Sequence, residues 1–502
     1  MLSAIIFLPL LGAVLVALVP SERRTMIRWL AGIFAGLPLL LGLILYEGYD
    51  VHAGGLQYVE RVSWVTLPEI GVSYFVGVDG LSLPLIVLTA LLTLVAILAS
   101  ERITERAKEY YLLLLILQTG VTGVFAAWDF FLFFLFWEVE LVPMYLLIGI
   151  WGGPRREYAA IKFVIYTLAG SALMLVGILA LYFYGTPHTF DMTVLARRSY
   201  APAFASVVFW LLFAGFAVKL PVFPLHTWLP DAHVEAPTAV SVLLAGVLLK
   251  MGGYGMLRVL VGLLPEATRH WALPLAILAV VSVLYGACVS MVQRDLKAMV
   301  AYSSISHMGY VLLGVAAFTS ISLSGAAIQL FTHGLITGLL FLLVGALYDR
   351  AHTRLIPEFS GIAKRQPLLA VLFTIGGLAS LGLPSLAGFI AEFTVFIGSF
   401  AVLPVFTVLA AAGIVLTAGY LLWMLRRVYF GPLAPRWERL EDVRGVEVIP
   451  LVTLTALIIL IGIEPSLLTD VINAGVASLT TSAAAAHPPG ALGWIGLPGR
   501  PW

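Results

Sequence analysis

Two lysines lie inside stretches of sequence that are apolar enough to cross a membrane. Lys219 occurs in FAVKLPVFPL and Lys250 in LLAGVLLKMGGYG, and the chain uses arginine for most of its other cationic residues. Lysine can release its proton when water is withdrawn from it, whereas arginine keeps its proton. The alternative is a lysine whose stem reaches the membrane surface, which is hard for Lys250 near the middle of its segment. The two lysines therefore predict a protein that moves protons.

Other ionisable residues lie in neighbouring apolar segments. Glu138 occurs in FFLFWEVELVP and Glu392 follows LPSLAGF, while His307 (AYSSISHMGY) and His333 (LFTHGL) are flanked by hydroxyl residues. Histidine accepts and releases protons near neutral pH, although a buried histidine also serves as a purely structural hydrogen-bonding group. Glu140 lies two residues after Glu138 and faces another side of a continuous helix, so we expect no more than local pairing from it.

A short loop, HTWLPDAHVEAPT, carries four more ionisable residues and no basic side chain other than histidine: His226, Asp231, His233 and Glu235. A metal site is less favoured here than a solvated proton entrance or helix capping around the prolines. Asp79, in GVDGLS, precedes an apolar segment and is predicted to cap a helix or to contact another subunit.

Composition excludes several classes of function. Of the 502 residues, 61% are hydrophobic and 11% are charged, which is typical of an integral membrane protein. The net charge of +1 does not favour a nucleic-acid partner. The single cysteine, Cys288, excludes a cysteine-held iron–sulfur cluster, a CxxC pair and an internal disulfide. Without a dinucleotide or P-loop motif, we expect no cofactor in this chain and a driving force from a partner or an ion gradient.

The apolar runs predict an all-α, multi-pass membrane protein with about fourteen transmembrane helices. The first run lacks a basic start and a small-residue cleavage site, so it is interpreted as a retained helix rather than a signal peptide. The predicted helices cover residues 2–20, 27–46, 81–100, 110–127, 130–151, 160–184, 205–225, 238–260, 273–292, 299–318, 325–348, 368–397, 405–428 and 449–470.

The basic residues support this count, because they divide unequally between the two sides of the membrane. Connections after odd-numbered helices hold twenty of the 28 lysines and arginines. The opposite side holds Arg61, Arg197, Arg198, Arg258, Arg269 and Arg500. Since the richer side is normally cytoplasmic, both termini are predicted to be external, in a bacterial cell membrane.

Two predicted helices contain breaks. The seventh includes LPVFPLHTWLP and the twelfth includes LGLPSLAG, and each proline removes a helical hydrogen bond. If helices 4–8 and 9–13 form two units of five, both breaks fall on the fourth helix of a unit, and the units are inverted. The predicted domains are residues 1–109 with an external polar loop at 47–80, the first repeat at 110–263, the second at 264–430, and helix 14 with a tail at 431–502.

The polar loop alternates apolar and polar residues in LQYVERVSWV and VSYFVGV, which predicts a short β-hairpin on the membrane surface. The end of the chain, AAHPPGALGWIGLPGRPW, is predicted to be irregular.

Several long motifs carry a resemblance to a known family. FFLFWEVELVPMYLLIGIWGG, FAVKLPVFPLHTWLPDAHVEAPTAVSVLLAGVLLKMGGYG, AYSSISHMGYVLLG, LFTHGLITGLLFLLVGALYDR and LPSLAGFIAEF closely resemble subunit M (chain 4) of bacterial NADH-quinone oxidoreductase, respiratory complex I. The likeness covers nearly the whole chain. It implies fourteen helices, inverted repeats and one antiporter-like proton channel within a proton-translocating NADH:quinone oxidoreductase. It also implies other membrane subunits as partners, which would hold the quinone, FMN and iron–sulfur clusters.

The same resemblance implies a role for each buried ionisable residue. Glu138 would pair with Lys219 and set its proton affinity, and Lys250 would be the central relay. The expected continuation of the path, through two histidines to a terminal carboxylate near the outside, is His307, His333 and Glu392.

Related families remain as alternatives. Subunits L and N, and the D-type subunits of multisubunit sodium/proton antiporters, usually carry lysine where this chain has Glu392. Glu140 departs from the commoner pattern and resembles the D-type relatives found in cyanobacterial and plastid complexes, which leaves the electron donor open. A second hypothesis is therefore a D-type antiporter subunit. A third is a structural membrane anchor, which the cost of burying Lys250 disfavours.

Overall fold

The structure is a computed structural model that describes residues 1–66 and 71–486. Within those residues it is almost entirely helical, with one two-stranded sheet. The helices are α1 Leu2–Leu18, α2 Arg24–Glu47, α3 Ser82–Leu98, α4 Ala107–Ala126, α5 Phe130–Val139, α6 Leu141–Trp151, α7 Arg156–Phe183, α8 Met192–Leu195, α9 Pro202–Lys219, α10 Trp228–Glu235, α11 Thr238–Leu243, α12 Leu249–Gly255, α13 Pro265–His270, α14 Ala272–Val292, α15 Leu296–Ala317, α16 Ser320–Ala351, α17 Pro367–Ser380, α18 Ala387–Phe400, α19 Pro404–Tyr429, α20 Val448–Ile463 and α21 Ser466–Ala486.

Eleven helical stretches in the described part of the chain are long and apolar enough to cross a membrane. Four shorter apolar helices accompany them: Leu2–Leu18, Ser82–Leu98, Pro367–Leu381 and Ala387–Phe400. The prediction of an all-α, multi-pass membrane protein is confirmed. The count of fourteen crossings, the domain boundaries and the inverted repeats stay predictions.

Both predicted helix breaks are present. Helix α9 ends at Lys219 and α10 begins at Trp228, across the prolines of LPVFP. Helix α17 ends at Ser380 and α18 begins at Ala387, across a turn in which Gly382 has a φ of 81°. Proline lacks an N–H group, and a left-handed glycine cannot continue a helix. Each break therefore leaves polar backbone groups free inside an otherwise apolar layer.

One helical path contains irregular turns that the sequence did not predict. Residues 238–261 run continuously through α11, a π-helical segment at Leu244–Leu248, α12, and a second π-helical segment at Met256–Val261. Lys250 lies in the short α-helical section between the two. Because π-helical turns are wider than α-helical turns, they change the direction in which side chains point, and they recur at functional sites.

Three helical stretches form the centre of the molecule. The most apolar window of Thr238–Val261 is completely buried, and the corresponding window of Leu296–Ala317 is 94% buried. Helix Ser320–Ala351 is nearly as enclosed, whereas Pro404–Tyr429 is only one-third buried. These central helices carry Lys250, His307 and His333, so the ionisable residues lie away from the lipid-facing surface.

Strand β1, Gln57–Thr66, pairs with β2, Gly71–Val78, in antiparallel fashion. The predicted β-hairpin is thus present in the polar loop.

The C-terminal prediction needs a correction. Helix α20 ends at Ile463 rather than at residue 470, because Pro465 disfavours helical backbone in the residue before it. A separate helix, α21, then packs against α16. Most of the tail predicted to be irregular, residues 487–502, lies outside the described residues.

Candidate functional site

The first ionisable cluster forms at the break between α9 and α10. Lys219, the last residue of α9, makes an ion pair with the Glu140 carboxylate through its Nζ atom, and each side chain is only 1% exposed. The rings of Phe163 and Trp137 lie 5.2 and 5.8 Å from the same ammonium group. A buried charge requires this degree of pairing, because removing it from water alone is costly.

The direct contact predicted between Glu138 and Lys219 is wrong, because Glu140 makes it. Phe133 and Trp137 point towards α9, with their ring centroids 6.5 and 5.8 Å from that of Phe216. Positions 133, 137 and 140 share one helical face, so Glu140 points the same way. The expectation of only local pairing for Glu140 is also wrong.

Glu138 lies on a neighbouring face and is half-buried. It remains close enough to Lys219 for a charge–charge interaction, but it forms no ion pair with the residues that the structure describes. The residue spacing that shows the aromatic face, four residues and then three, was the signal available in the sequence.

The chain separates α5 from α6 at Glu140 itself. Pro143 has no N–H group to donate to the carbonyl of Val139, which explains why the helical hydrogen bonding is interrupted there. The carboxylate that pairs with Lys219 therefore lies at an irregular turn, as Lys219 does. Each partner of the buried ion pair is positioned by a local interruption of a helix.

The second ionisable cluster begins at Lys250. Its Nζ atom donates to the carbonyl of Ala245 at 2.6 Å and lies 2.7 Å from Nδ1 of His333. Both side chains are buried. Gly334, beside His333, has no side chain, and a Cβ atom there would lie 3.5 Å from Cε of Lys250. Helices α12 and α16 thus bring the lysine and the histidine into direct contact.

The cluster continues from α16 to α15 and α18. The ring centroids of His333 and His307 lie 5.5 Å apart. Nδ1 of His307 is 2.9 Å from a Glu392 carboxylate oxygen, and Nε2 is 3.1 Å from the hydroxyl of Ser380. A small cavity lies between these groups, and Gln329 is also part of its wall. The structure therefore joins Lys250, both histidines and Glu392 by a succession of close contacts.

The two clusters adjoin one another through a glycine. Gly252 lies two residues after Lys250 in α12, and a Cβ atom there would come within 3.0 Å of Cβ of Lys219. The same atom would lie 2.6 Å from the backbone nitrogen of Leu220. Only glycine permits this approach of α12 to the end of α9. Lys219 and Lys250 are thus carried by backbones in van der Waals contact.

Several buried polar atoms along this path have no hydrogen-bond partner among the described residues. They are Glu140 Oε2, His333 Nε2, Gln329 Oε1 and Thr332 Oγ1. Buried polar atoms of this kind normally bind ordered water, which can link groups that do not touch directly. The path therefore has hydrogen-bonding capacity on both sides of Lys250.

The loop after the first break does not gather its ionisable residues into one group. Asp231 accepts a hydrogen bond from Lys162 at 2.8 Å, and Glu235 accepts one from the backbone of Arg155. His226 stacks on Phe223 and His233 on Phe341. Among the residues that the structure describes, no group of three or more histidine, cysteine or acidic residues is arranged to hold a metal ion.

Two protein-family models match the chain. The model described as "NADH:quinone oxidoreductase/Mrp antiporter, TM" matches residues 127–417. The model described as "NADH-ubiquinone oxidoreductase chain 4, amino terminus" matches residues 63–122.

Curated relatives match over nearly their whole length. "NAD(P)H-quinone oxidoreductase chain 4 1" of Synechococcus sp. (strain JA-2-3B'a(2-13)) is 46% identical over 491 residues, covering 95% of this chain and 92% of the relative. "NAD(P)H-quinone oxidoreductase chain 4" of Gloeobacter violaceus is 44% identical over 510 residues, covering 98% and 96%.

Solved structures show the same fold. A chain of respiratory complex I from Thermus thermophilus with bound NADH superposes with a TM-score of 0.88 at 31% identity, covering 96% of this chain and 100% of that one. A chain of the Mrp complex from Dietzia sp. DQ12-45-1b gives a TM-score of 0.86 at 23% identity, with coverage of 97% and 98%. The second likeness is one of fold alone.

Proposed function

Because the chain belongs to the NADH-quinone oxidoreductase chain 4 family, we propose that it is the proton-translocating subunit of such a complex. In this proposal it contributes a proton path and no redox centre. Quinone, FMN and iron–sulfur clusters belong to partner subunits, and the neighbours of this chain in the membrane are other membrane subunits of the complex. The observation that carries the proposal is the succession of contacts from Lys250 through His333 and His307 to Glu392.

The Glu140–Lys219 ion pair is the proposed control point. While the pair is closed, the carboxylate holds the proton on Lys219, because an ammonium group beside an anion in an apolar layer binds its proton tightly. When redox chemistry in a partner subunit changes the local field, the pair opens and the proton is released. Moving one charge through 100 mV costs about 2.3 kcal/mol, so this step needs energy from outside the chain.

The released proton then passes towards Lys250 and its contact, His333. Imidazole is suited to the next steps because one ring nitrogen accepts a proton while the other donates one. Nδ1 of His333 faces Lys250, and Nε2 is available to groups on the other side of the ring. His307 bridges Ser380 and Glu392 in the same manner. Glu392 is the proposed last group before the external side.

The basic residues orient this path. With the richer side cytoplasmic, both termini face the outside of a bacterial cell membrane, and the hairpin lies on the external face. The alternative of an antiporter subunit keeps the same groups but has a different driving force. The 46% identity to a quinone oxidoreductase chain favours the first function, since the likeness to the Mrp chain is limited to the fold.

The test replaces the central amine with a side chain of similar bulk, Lys250→Leu, in the intact complex. The matched control is Lys364→Leu, which removes an exposed lysine outside the path. Both complexes are reconstituted in sodium-free liposomes, and the number of protons moved per electron is measured during quinone reduction. We expect a large loss of pumping for Lys250→Leu and normal pumping for the control. Normal proton-to-electron ratios in both would contradict the proposal.

A further inference from the structure

Helix α12 and the π-helical segment after it carry a second set of polar residues on the external side of Lys250. Tyr254 follows Lys250 by one helical turn and therefore lies on the same face. Its hydroxyl donates to the carbonyl of Phe125 at 3.1 Å and accepts from Nε of Arg258 at 3.2 Å. Arg258 makes an ion pair with Asp79, and these two side chains are 4% and 3% exposed.

This ion pair is fixed from both sides. Asp79 also accepts hydrogen bonds from the backbone nitrogens of Leu81 and Ser82, at 3.1 and 3.0 Å, where α3 begins. The guanidinium carbon of Arg258 lies 4.3 Å from the ring centroid of Trp128. The part of the Asp79 prediction that concerned a helix start is thus correct in position, and the carboxylate has an additional buried partner.

A cavity approaches Arg258 from the side of the hairpin and α21. Leu56, Trp128, Arg197 and Leu479 lie in its wall together with Arg258, whereas Lys250 and Tyr254 do not. Arg258 is therefore the point at which a space reached from the proposed external side meets the layer that covers Lys250.

The chemistry of these groups opposes proton transfer. A relay group must accept a proton and then donate it, but a guanidinium group has five N–H donors, no acceptor, and does not release its proton in proteins. The one hydrogen of the Tyr254 hydroxyl is committed to Phe125, and its oxygen already accepts from Arg258. A fixed cation next to the cavity also repels hydronium ions.

We propose that Asp79, Tyr254 and Arg258 form an external seal, which prevents protons on Lys250 from leaving directly to the outside and directs them to His333. This inference rests on the proposed function. Without such a seal, a proton delivered to Lys250 could return along the first repeat, and the contacts from His333 to Glu392 would be bypassed.

The experiment removes both charges of the seal at once, Arg258→Gln with Asp79→Asn. Removing only one charge would leave the other buried and unpaired, which commonly prevents folding. The matched control is Arg61→Gln with Asp191→Asn, another ion pair of the external region, at 2.8 Å. Intact complexes in liposomes receive an imposed pH gradient without NADH, and passive proton flow is measured. We expect the flow to rise about tenfold, equivalent to lowering a barrier by about 1.4 kcal/mol, and to stay unchanged in the control.

A third change locates the leak. Adding Lys250→Leu to the Arg258→Gln, Asp79→Asn variant should abolish the extra flow, because the proposed leak passes through Lys250. No rise in the double variant, or a rise that persists without Lys250, would overturn the seal. Neither result bears on pumping by the otherwise unchanged chain, so the proposed function is judged separately by Lys250→Leu alone.

A milder variant covers the case in which the double variant does not assemble. Arg258→Lys keeps a cation beside Asp79, but an ammonium group can release its proton, unlike guanidinium. We expect passive flow above that of the unchanged complex. Flow equal to that of the unchanged complex would contradict the role assigned to the guanidinium group.

Discussion

The two ionisable clusters of this protein differ in the kind of contact that they make. Glu140 and Lys219 form a closed ion pair of a carboxylate and an ammonium group, each 1% exposed. From Lys250 to Glu392, by contrast, two imidazole rings separate the amine from the carboxylate. A closed ion pair holds a proton in place, whereas a sequence of imidazoles passes it on.

Both clusters lie at helix interruptions, but they use them differently. In the first, each charged residue is at the interruption itself: Glu140 between α5 and α6, and Lys219 at the end of α9. In the second, the break supplies Ser380, whose hydroxyl contacts His307, while Glu392 lies within α18. The comparison teaches that the first cluster is built to change its geometry, since irregular backbone moves more readily than helix, and the second to keep it.

The largest expected effect separates the two glutamates of the first cluster. Glu140→Gln leaves the ammonium of Lys219 buried without its partner, which costs on the order of 3–5 kcal/mol. Glu138→Gln removes only a half-buried carboxylate that lies further from the lysine. We expect Glu140→Gln to lower both complex assembly and proton pumping strongly, and Glu138→Gln to affect them less.

The measurement is the yield of assembled complex and the number of protons moved per electron. Adding Lys219→Met to Glu140→Gln removes both charges and should restore assembly while pumping stays lost. If Glu138→Gln were the more damaging change, the closed pair would not be the control point.

This glutamate pair also shows where prediction from the sequence ends. Membrane helices, the two breaks and the hairpin follow from apolar runs, prolines and alternation, because those features act locally. Choosing between Glu138 and Glu140 requires knowing which face of α5 meets α9. The aromatic residues Phe133 and Trp137 give that face once their partner Phe216 is known, and the partner is a tertiary contact.

The buried arginine was misjudged for a related reason. Counted among basic residues of the external connections, Arg258 instead lies inside the helical path of residues 238–261 and is 4% exposed. Asp79, 179 positions away in the chain, makes this burial possible. Sequence patterns report the cost of burying a charge but not a distant partner that offsets it. The π-helical turns around Lys250 are likewise set by packing.

A smaller effect tests the second cluster. His307→Gln keeps an amide that can hydrogen-bond to Glu392 and Ser380, but an amide does not take up a proton. If His307 is a relay, we expect pumping to fall on the order of a hundredfold, the contribution of one well-placed acid–base group. His52→Gln, at an exposed site in the polar loop, is the control and should change nothing.

Proton flow is measured in the intact complex during quinone reduction, alongside electron transfer. Electron transfer that continues while pumping falls would show that the relay is interrupted and the complex still folds. Full pumping with His307→Gln would mean that protons pass from His333 to Glu392 without this ring, and the contrast drawn between the two clusters would fail.

The smallest effect concerns an ion pair outside both clusters. Lys162 and Asp231 are 2.8 Å apart, like many buried pairs, but their side chains are 21% and 23% exposed. Because water screens such charges, we expect Asp231→Asn to lower stability by about 0.2–1 kcal/mol and to leave pumping nearly normal. The thermal midpoint of the solubilised complex and its proton-to-electron ratio are the measurements. If Asp231→Asn instead stopped pumping while the thermal midpoint held, burial would not be what distinguishes the Glu140–Lys219 pair. The loop that carries Asp231 would then have to be part of the proton path, as its entrance from the cytoplasmic side.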